Sequence, residues 1–233
     1  MIRGFYTAAS GLTAQQSNLN VIANNVANIS TTGFKPQRAA FSSLLYERIN
    51  GGAGNAISVG HGIKVEKTDI HFAPGNLIQT DMPMDFAILG DGFFAVENGE
   101  DGSITYTRDG SFRSLIDGRR NYLADASGNY VLDARERKIE LGEDFDYTQI
   151  GVFQFENPYG LVLAGGNGFS ATEASGDPED VDRPDIKAGF LESSAVQIAE
   201  EMVKMIEASK GFSFGSRILQ AADEMEKTIN QLR

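Results

Sequence analysis

Apolar residues recur every three or four positions at the start of this chain and again near its end. This spacing places them on one face of an α-helix. Such a face has to be buried against a partner, as the seams of coiled coils are. The sequence therefore predicts two terminal helices that pack on each other or on other chains. The first seam consists of Phe5, Ala8, Leu12, Gln15, Leu19, Ile22, Val26 and Ile29.

The second helical pattern runs from residue 193 to residue 233. A glycine-containing stretch, Gly211–Gly215, interrupts it and shifts its phase. Because each glycine costs about 1 kcal/mol inside a helix, a bend is expected there. One seam precedes the interruption and another follows it: Val196, Ala199, Val203 and Ile206, then Ile218, Ala222, Met225, Ile229 and Leu232.

The first helix is expected to end near Ser30, because Gly33 suits the position after a helix C-terminus and Pro36 blocks continuation. Apolar residues between 41 and 49 suggest a second short amphipathic helix, which would extend an N-terminal helical region over residues 1–50. The glycine-rich residues 51–60 are predicted to be a flexible hinge.

Short strand-like runs and turn dipeptides fill residues 61–192. Turns such as Asn98-Gly99, Asp117-Gly118 and Ser127-Gly128 recur at intervals that an all-β meander or barrel would give. The predicted fold class is therefore α+β. The central all-β domain covers residues 61–192. It lies between the N-terminal helical region and a C-terminal helix at residues 193–233, which pairs with the N-terminal helix.

Composition excludes several classes of function. The net charge of −12 argues against a nucleic-acid surface, which needs clustered lysine and arginine. The absence of cysteine excludes disulfides and thiolate metal sites. No cleaved signal peptide is evident, and no apolar run approaches the ~20 residues that span a bilayer, so membrane insertion is not expected.

One motif suggests chemistry. Gly90–Ala95 fits the pattern G-x-G-x-x-A of dinucleotide-binding proteins, which requires a helix to follow the glycines. Here a strand and an Asn98-Gly99 turn follow, which favours a plain glycine turn. A nucleotide-binding enzyme remains the remote alternative. Neither the two histidines nor the acidic residues between 177 and 185 have the arrangement of a metal site, so we predict no catalytic, cofactor or metal residues.

Asparagines crowd the first helical pattern. Since asparagine is a modest helix former, their amides are expected to hydrogen-bond across packed helices and fix the register. The cluster comprises Asn18, Asn20, Asn24, Asn25 and Asn28.

Six blocks in order along the chain resemble the bacterial flagellar rod and hook protein family. The N-terminal block reads ANNVANISTTGFK. The others carry Gly75–Asp81, Asp85–Phe94, Tyr106–Phe112, Gly189–Ser194 and Glu200–Ala208.

The resemblance implies a structural axial protein of the flagellar basal body. Its terminal helices would form an inner coiled-coil layer, and subunits would stack helically into a hollow shaft that transmits torque from motor to hook. The expected partners are copies of itself, other rod and hook proteins and the flagellar type III export apparatus, through which the chain would leave without a cleaved signal. No small-molecule substrate or cofactor is implied.

Distal and proximal rod proteins share these blocks, and the stretch Leu44–Glu47 favours the distal type. The short middle of the chain leaves a proximal rod subunit as the alternative, and a hook or junction protein is a more remote one. The chain departs from the family pattern at Ala195 and at Gly211–Gly215, which leaves the local path of the C-terminal helix open. The predicted assembly interface consists of Leu12, Leu19, Ile22, Asn24, Asn25, Val26, Asn28, Ile29, Val196, Val203, Ile206, Ile218, Met225 and Ile229.

Overall fold

A computed structural model describes residues 2–50, 56–142 and 145–232 of the chain. These residues divide into two compact bodies. The helical body comprises residues 1–27, 37–71 and 197–233, and the β-body comprises residues 28–36 and 72–196, both without the undescribed positions. With its terminal helices and antiparallel strands between them, the chain confirms the predicted α+β class.

The helical body contains two helices and four strands. Helices α1 and α2 pack against each other, and α1 also packs on β1 and β4. Strand β1 pairs with β4, and β2 pairs with β3, both antiparallel. The elements are α1 (Ile2–Ala27), β1 (Gln37–Ser43), β2 (Tyr46–Asn50), β3 (Ala56–Gly60), β4 (Ile63–Ile70) and α2 (Ile198–Gln231).

The helix predicted between residues 41 and 49 is wrong, because β1 and β2 occupy most of that stretch. Its apolar residues sit at spacings that also suit strands, and β1 alternates in burial along much of its length, as a half-covered strand does. Pairing of β1 with β4 and of β2 with β3 decides the outcome. The predicted hinge is wrong at residues 56–60, which form β3, while residues 51–55 lie outside the described part of the chain.

Helix α2 continues without interruption through Gly211 and Gly215, so the helix does not break there. The reason is packing: a Cβ at Gly215 would lie 3.0 Å from Cδ2 of Leu12, and one at Gly211 would lie 3.4 Å from Cδ of Gln15. Both glycines face α1 and let the two helices approach closely. The contact between the helices outweighs the low helix propensity of glycine.

Thirteen described strands build the β-body, joined by antiparallel ladders. They are β5 (Leu77–Gln79), β6 (Phe86–Ile88), β7 (Phe93–Glu97), β8 (Ile104–Thr107), β9 (Arg113–Asp117), β10 (Arg120–Ala124), β11 (Tyr130–Val131), β12 (Val152–Gln154), β13 (Val162–Gly165), β14 (Gly168–Ser170), β15 (Glu179–Asp180), β16 (Ile186–Ala188) and β17 (Phe190–Glu192). Short 3-10 helices occupy Tyr147–Gln149 and Pro158–Gly160.

The largest sheet has nine strands with β7 near its centre. Its order is β13-β14-β8-β7-β11-β10-β9, and β12 joins β7 and β15. Because β14 rather than β9 lies beside β8, the sheet is not a simple meander. The predicted turns are present: Asn98-Gly99 connects β7 to β8, and Gly118 and Gly128 adopt positive φ in the turns beside β10.

The β-body packs its apolar residues into a continuous core. Phe94 and Val131 are fully buried there, and Phe112 packs edge-on against Phe94 with ring centroids 5.2 Å apart. Such pairs add about 0.5–1.5 kcal/mol beyond the burial of their area. This core is the main source of stability in the β-body.

The boundaries of the predicted middle domain shift accordingly. Strand β4 belongs to the helical body, although the sequence placed residues 61–70 in the β domain. The C-terminal helix begins at Ile198 rather than at residue 193, so Val196 lies before α2 and in the β-body. Among the described residues, neither helix has a stretch long and apolar enough to cross a membrane.

Candidate assembly interface

Helices α1 and α2 run antiparallel in a fixed register. Three contacts define this register: Asn25 faces Glu201, Gln15 faces Gly211, and Leu12 faces Gly215. In each pair the two residue numbers add up to 226 or 227, which gives the residue opposite any other position. Ile2, the first described residue of α1, therefore lies opposite residue 224 or 225. The end of α2 extends beyond α1 by almost two turns of helix.

Asn25 is the polar link that holds this register. Its Nδ2 donates to Oε2 of Glu201 at 3.1 Å and to the carbonyl oxygen of Gln37 at 2.8 Å. Its Oδ1 accepts from the Gln37 amide at 2.9 Å. Glu201 also pairs with Lys204. Since Asn25 and Glu201 are both buried, these bonds supply the partners that buried polar groups require, and they join α1, α2 and β1.

The predicted interface residues fall into two groups. The chain buries or half-buries the first group within its own packing, and it leaves the second group exposed. The first group is Leu12, Leu19, Ile22, Asn25, Val26, Asn28, Ile29 and Val196; the second is Asn24, Val203, Ile206, Ile218, Met225 and Ile229. Asn28, Ile29 and Val196 belong to the β-body, and the others belong to the helical body.

The exposed apolar surface of the helical body is larger than the predicted set. Ile198, Met202 and Ile206 repeat at helical spacing on α2, and all three are about half exposed. Their spacing of four residues is the sequence signal that places them on one face of α2. Phe5, Tyr6, Phe214 and Leu232 are also exposed and were not among the predicted interface residues. Exposed apolar patches of this kind mark sites of protein association.

An ion cluster lies inside the β-body. Nζ of Lys35 lies 2.6 Å from Oε1 of Glu192, and Nη1 of Arg108 lies 3.2 Å from its Oε2. Glu192 also accepts from the Gly75 amide at 2.7 Å, and Arg108 donates to the Gly90 carbonyl oxygen. Burial lowers the pKa of Lys35, and the neighbouring Glu192 carboxylate offsets part of that effect.

The ion cluster brings together three of the sequence blocks that lie far apart along the chain. Lys35 ends the N-terminal block, Arg108 belongs to the block around Tyr106–Phe112, and Glu192 belongs to the block at Gly189–Ser194. Burying charges is favourable only when they are paired and hydrogen-bonded. The sequence showed these residues but not their convergence, because they are up to 157 positions apart.

The structure at Gly90–Ala95 does not have the geometry of a dinucleotide-binding site. Gly92 leads directly into β7, so no helix N-terminus follows the glycines to receive a pyrophosphate. A Cβ at Gly92 would lie 2.5 Å from Cγ1 of Val152, which explains the glycine by close packing. Within the described ranges, no group of histidine, aspartate or glutamate residues is arranged to hold a metal ion.

Three family models match the chain at its beginning, middle and end. They are "Flagella basal body rod protein" over residues 5–35, "Flagellar hook protein FlgE/F/G D1 domain" over residues 87–154, and "Flagellar basal body rod FlgEFG protein C-terminal" over residues 187–232. Together with the terminal helices and the central β structure, they define the class as an axial protein of the bacterial flagellum.

Relatives that align with this chain from end to end identify its family within this class. The chain is 37% identical to the flagellar basal-body rod protein FlgG of Borreliella burgdorferi, with 100% of this chain and 99% of the relative covered. The FlgG proteins of Agrobacterium fabrum and Bacillus subtilis are 36% and 30% identical, with at least 99% of both chains covered. The chain belongs to the family of flagellar basal-body rod proteins and is a structural subunit of the basal-body rod.

The similarity to a hook protein covers a smaller part of the chain. The hook protein FlgE of Helicobacter pylori is 40% identical over 117 residues, which is 46% of this chain but 16% of the hook protein. The rod relatives match from end to end, so the rod assignment stands over the hook alternative.

Proposed function

We propose that this chain assembles helically, with copies of itself and with other axial proteins, into a hollow shaft that transmits torque from motor to hook. The similarity to proteins named FlgG favours the distal part of the rod over the proximal part. We further propose that the chain has no catalytic activity, and that it reaches the rod through the flagellar type III export pathway without a cleaved signal.

One observation carries the assembly proposal: the helical body leaves a large apolar surface uncovered. Ile206 and Ile218 on α2 are 55% and 58% exposed. Covering a Leu or Ile side chain contributes about 1.5–3 kcal/mol. Several such residues along one helix therefore provide a strong drive for association with other chains.

A pair of matched substitutions tests this proposal. Ile206→Asp places a charge on the exposed face of α2 without disturbing a buried position, so the free subunit should remain folded while assembly is lost. Ile116→Asp is the control, since Ile116 is an exposed isoleucine on β9 of the β-body. Each variant is expressed in a strain that lacks the native protein, and swimming and rod formation are scored, with circular dichroism of the purified protein as the folding check.

We expect no rods and no swimming with Ile206→Asp, and normal swimming with Ile116→Asp. Normal rods with Ile206→Asp and Leu19→Asp would disprove assembly through the helical body. A shortened chain without α1 and α2 that still joined rods would do the same.

A further inference from the structure

A groove of about 580 Å³ lies in the helical body between α1, α2 and the strands β3 and β4. Small residues line much of it: Gly4, Ala8 and Gly11 on α1 and Gly211 and Gly215 on α2. Phe214 and Ile218 form an apolar wall on α2, and both are more than half exposed. Its volume lies within the range of about 300–1,000 Å³ that is typical of ligand pockets, so it has room for a few side chains.

The same chain carries an apolar segment at the end of α2 that the described part of its own helical body leaves exposed. The register of the helices leaves the last turns of α2 beyond the described part of α1. Ile229 and Leu232 lie there, and Met225 precedes them at helical spacing. We call residues 225–232 the α2 tip. All three side chains are at least 48% exposed.

Charges on α2 make the groove complementary to residues 221–232, which include the tip and the turn before it. Residues 208–220, which flank the groove, contain Lys210 and Arg217 and no acidic residue. Residues 221–232 contain three acidic residues and one lysine. Lys227 pairs with Asp223 at 2.7 Å, so the excess negative charge falls on Glu224 and Glu226.

We propose that the groove receives the α2 tip of a second copy of this chain. This inference rests on the proposed self-assembly and names the contact that drives it. Because groove and tip are different surfaces, each copy offers one of each, and a head-to-tail contact of this type propagates instead of closing into a dimer. The tip lies about 14 residues beyond the centre of the groove, so parallel copies would be displaced by about 21 Å along the helix axis.

Cross-linking between single-cysteine variants tests the contact directly, because the chain has no cysteine of its own. Thr7→Cys lies in the groove, and Ile229→Cys lies in the tip. Gln16→Cys is the matched control, since Gln16 is exposed on α1 but does not line the groove. Equal amounts of two full-length variants are mixed, treated with a short bismaleimide and separated on a denaturing gel, and association is followed by sedimentation.

We expect a cross-linked heterodimer from Thr7→Cys with Ile229→Cys, and roughly tenfold less from Gln16→Cys with Ile229→Cys. Adding Arg217→Glu to the groove variant should lower the yield about threefold, as loss of an exposed ion pair would. Adding Glu226→Lys to the tip variant should then restore it.

Two results would overturn the proposal. If the mixture associates but the groove and control variants cross-link equally or not at all, the groove is not the docking site, while self-assembly stands. If the chains do not associate at high concentration, both the groove and the proposed self-assembly are wrong.

Discussion

In the β-body, Phe94 and Val131 are completely withdrawn from solvent, whereas in the helical body Ile206, Ile218 and Met225 keep about half of their surface exposed. Both bodies contain enough apolar residues for a core, but only the β-body uses most of them internally. The difference indicates separate tasks. The β-body is stabilised by its own packing, and the helical body keeps apolar surface exposed, which supports the proposed assembly through that surface.

The strongest challenge to this comparison is to truncate one large apolar residue in each body. Phe94→Ala should lower the free energy of unfolding of the β-body by about 3–5 kcal/mol, because it leaves a cavity in a close-packed core. Ile206→Ala should change the stability of the free subunit by no more than about 0.5 kcal/mol. Urea unfolding followed by near-ultraviolet circular dichroism measures both, and similar losses would contradict the contrast.

The ion cluster of the β-body provides a second challenge. Glu192→Gln leaves Lys35 and Arg108 buried without their counter-ion, so we expect a loss of about 3 kcal/mol or more. The control is Glu140→Gln, which breaks an exposed pair with Arg120 and should cost less than about 1 kcal/mol. Thermal unfolding of the purified variants distinguishes the two. Adding Lys35→Met should recover part of the loss, and its failure to do so would show that the buried charges are not coupled.

Within the helical body, Asn25 is expected to matter more than a neighbouring asparagine. Asn25→Ala removes three buried hydrogen bonds and should cost about 1–3 kcal/mol. Asn20→Ala removes one exposed bond to Gln16 and should stay within about 0.5 kcal/mol. The loss of helical signal at 222 nm during urea unfolding is the measurement. Equal effects would mean that Asn25 does not fix the register.

The smallest expected effect comes from the two glycines of α2. Gly211→Ala should stabilise the helix by up to about 1 kcal/mol, because the new Cβ meets only ordinary contacts with Gln15. Gly215→Ala gains the same propensity but crowds Leu12 at 3.0 Å, so its net effect should be smaller or unfavourable. Melting temperatures of the two variants give the sign, and a larger gain from Gly215→Ala would contradict the close approach of the helices.

Local patterns in the sequence were sufficient for the helices and the turns. The three- and four-residue spacing located α1 and α2, and Asn98-Gly99 located the β7–β8 turn. Local patterns failed at Phe41 and Ile49, where a helical spacing also fits strands and only the pairing with β4 and β3 decides. They failed at Gly211–Gly215 for the same reason, since the cost of glycine is local while the packing against α1 is not.

The candidate site shows the same limit. Sequence spacing identified which residues are apolar, but not which of them the chain covers itself. Leu12 and Ile22 pack inside the helical body, while Ile218 and Met225 on the same pair of helices do not. The convergence of Lys35, Arg108 and Glu192 was also beyond local reasoning, because no periodic signal connects residues so far apart.

The antiparallel course of α1 and α2 has a practical consequence for labelling the protein. Ile2 lies opposite residue 224 or 225, so affinity tags or fluorescent reporters fused to either terminus would sit at the same end of the helix pair, beside the groove. The exposed turn at residues 99–102, between β7 and β8, offers an alternative. Surface turns of small and polar residues tolerate insertions well. A reporter placed there would leave both helices unencumbered and allow the subunit to be followed in living cells.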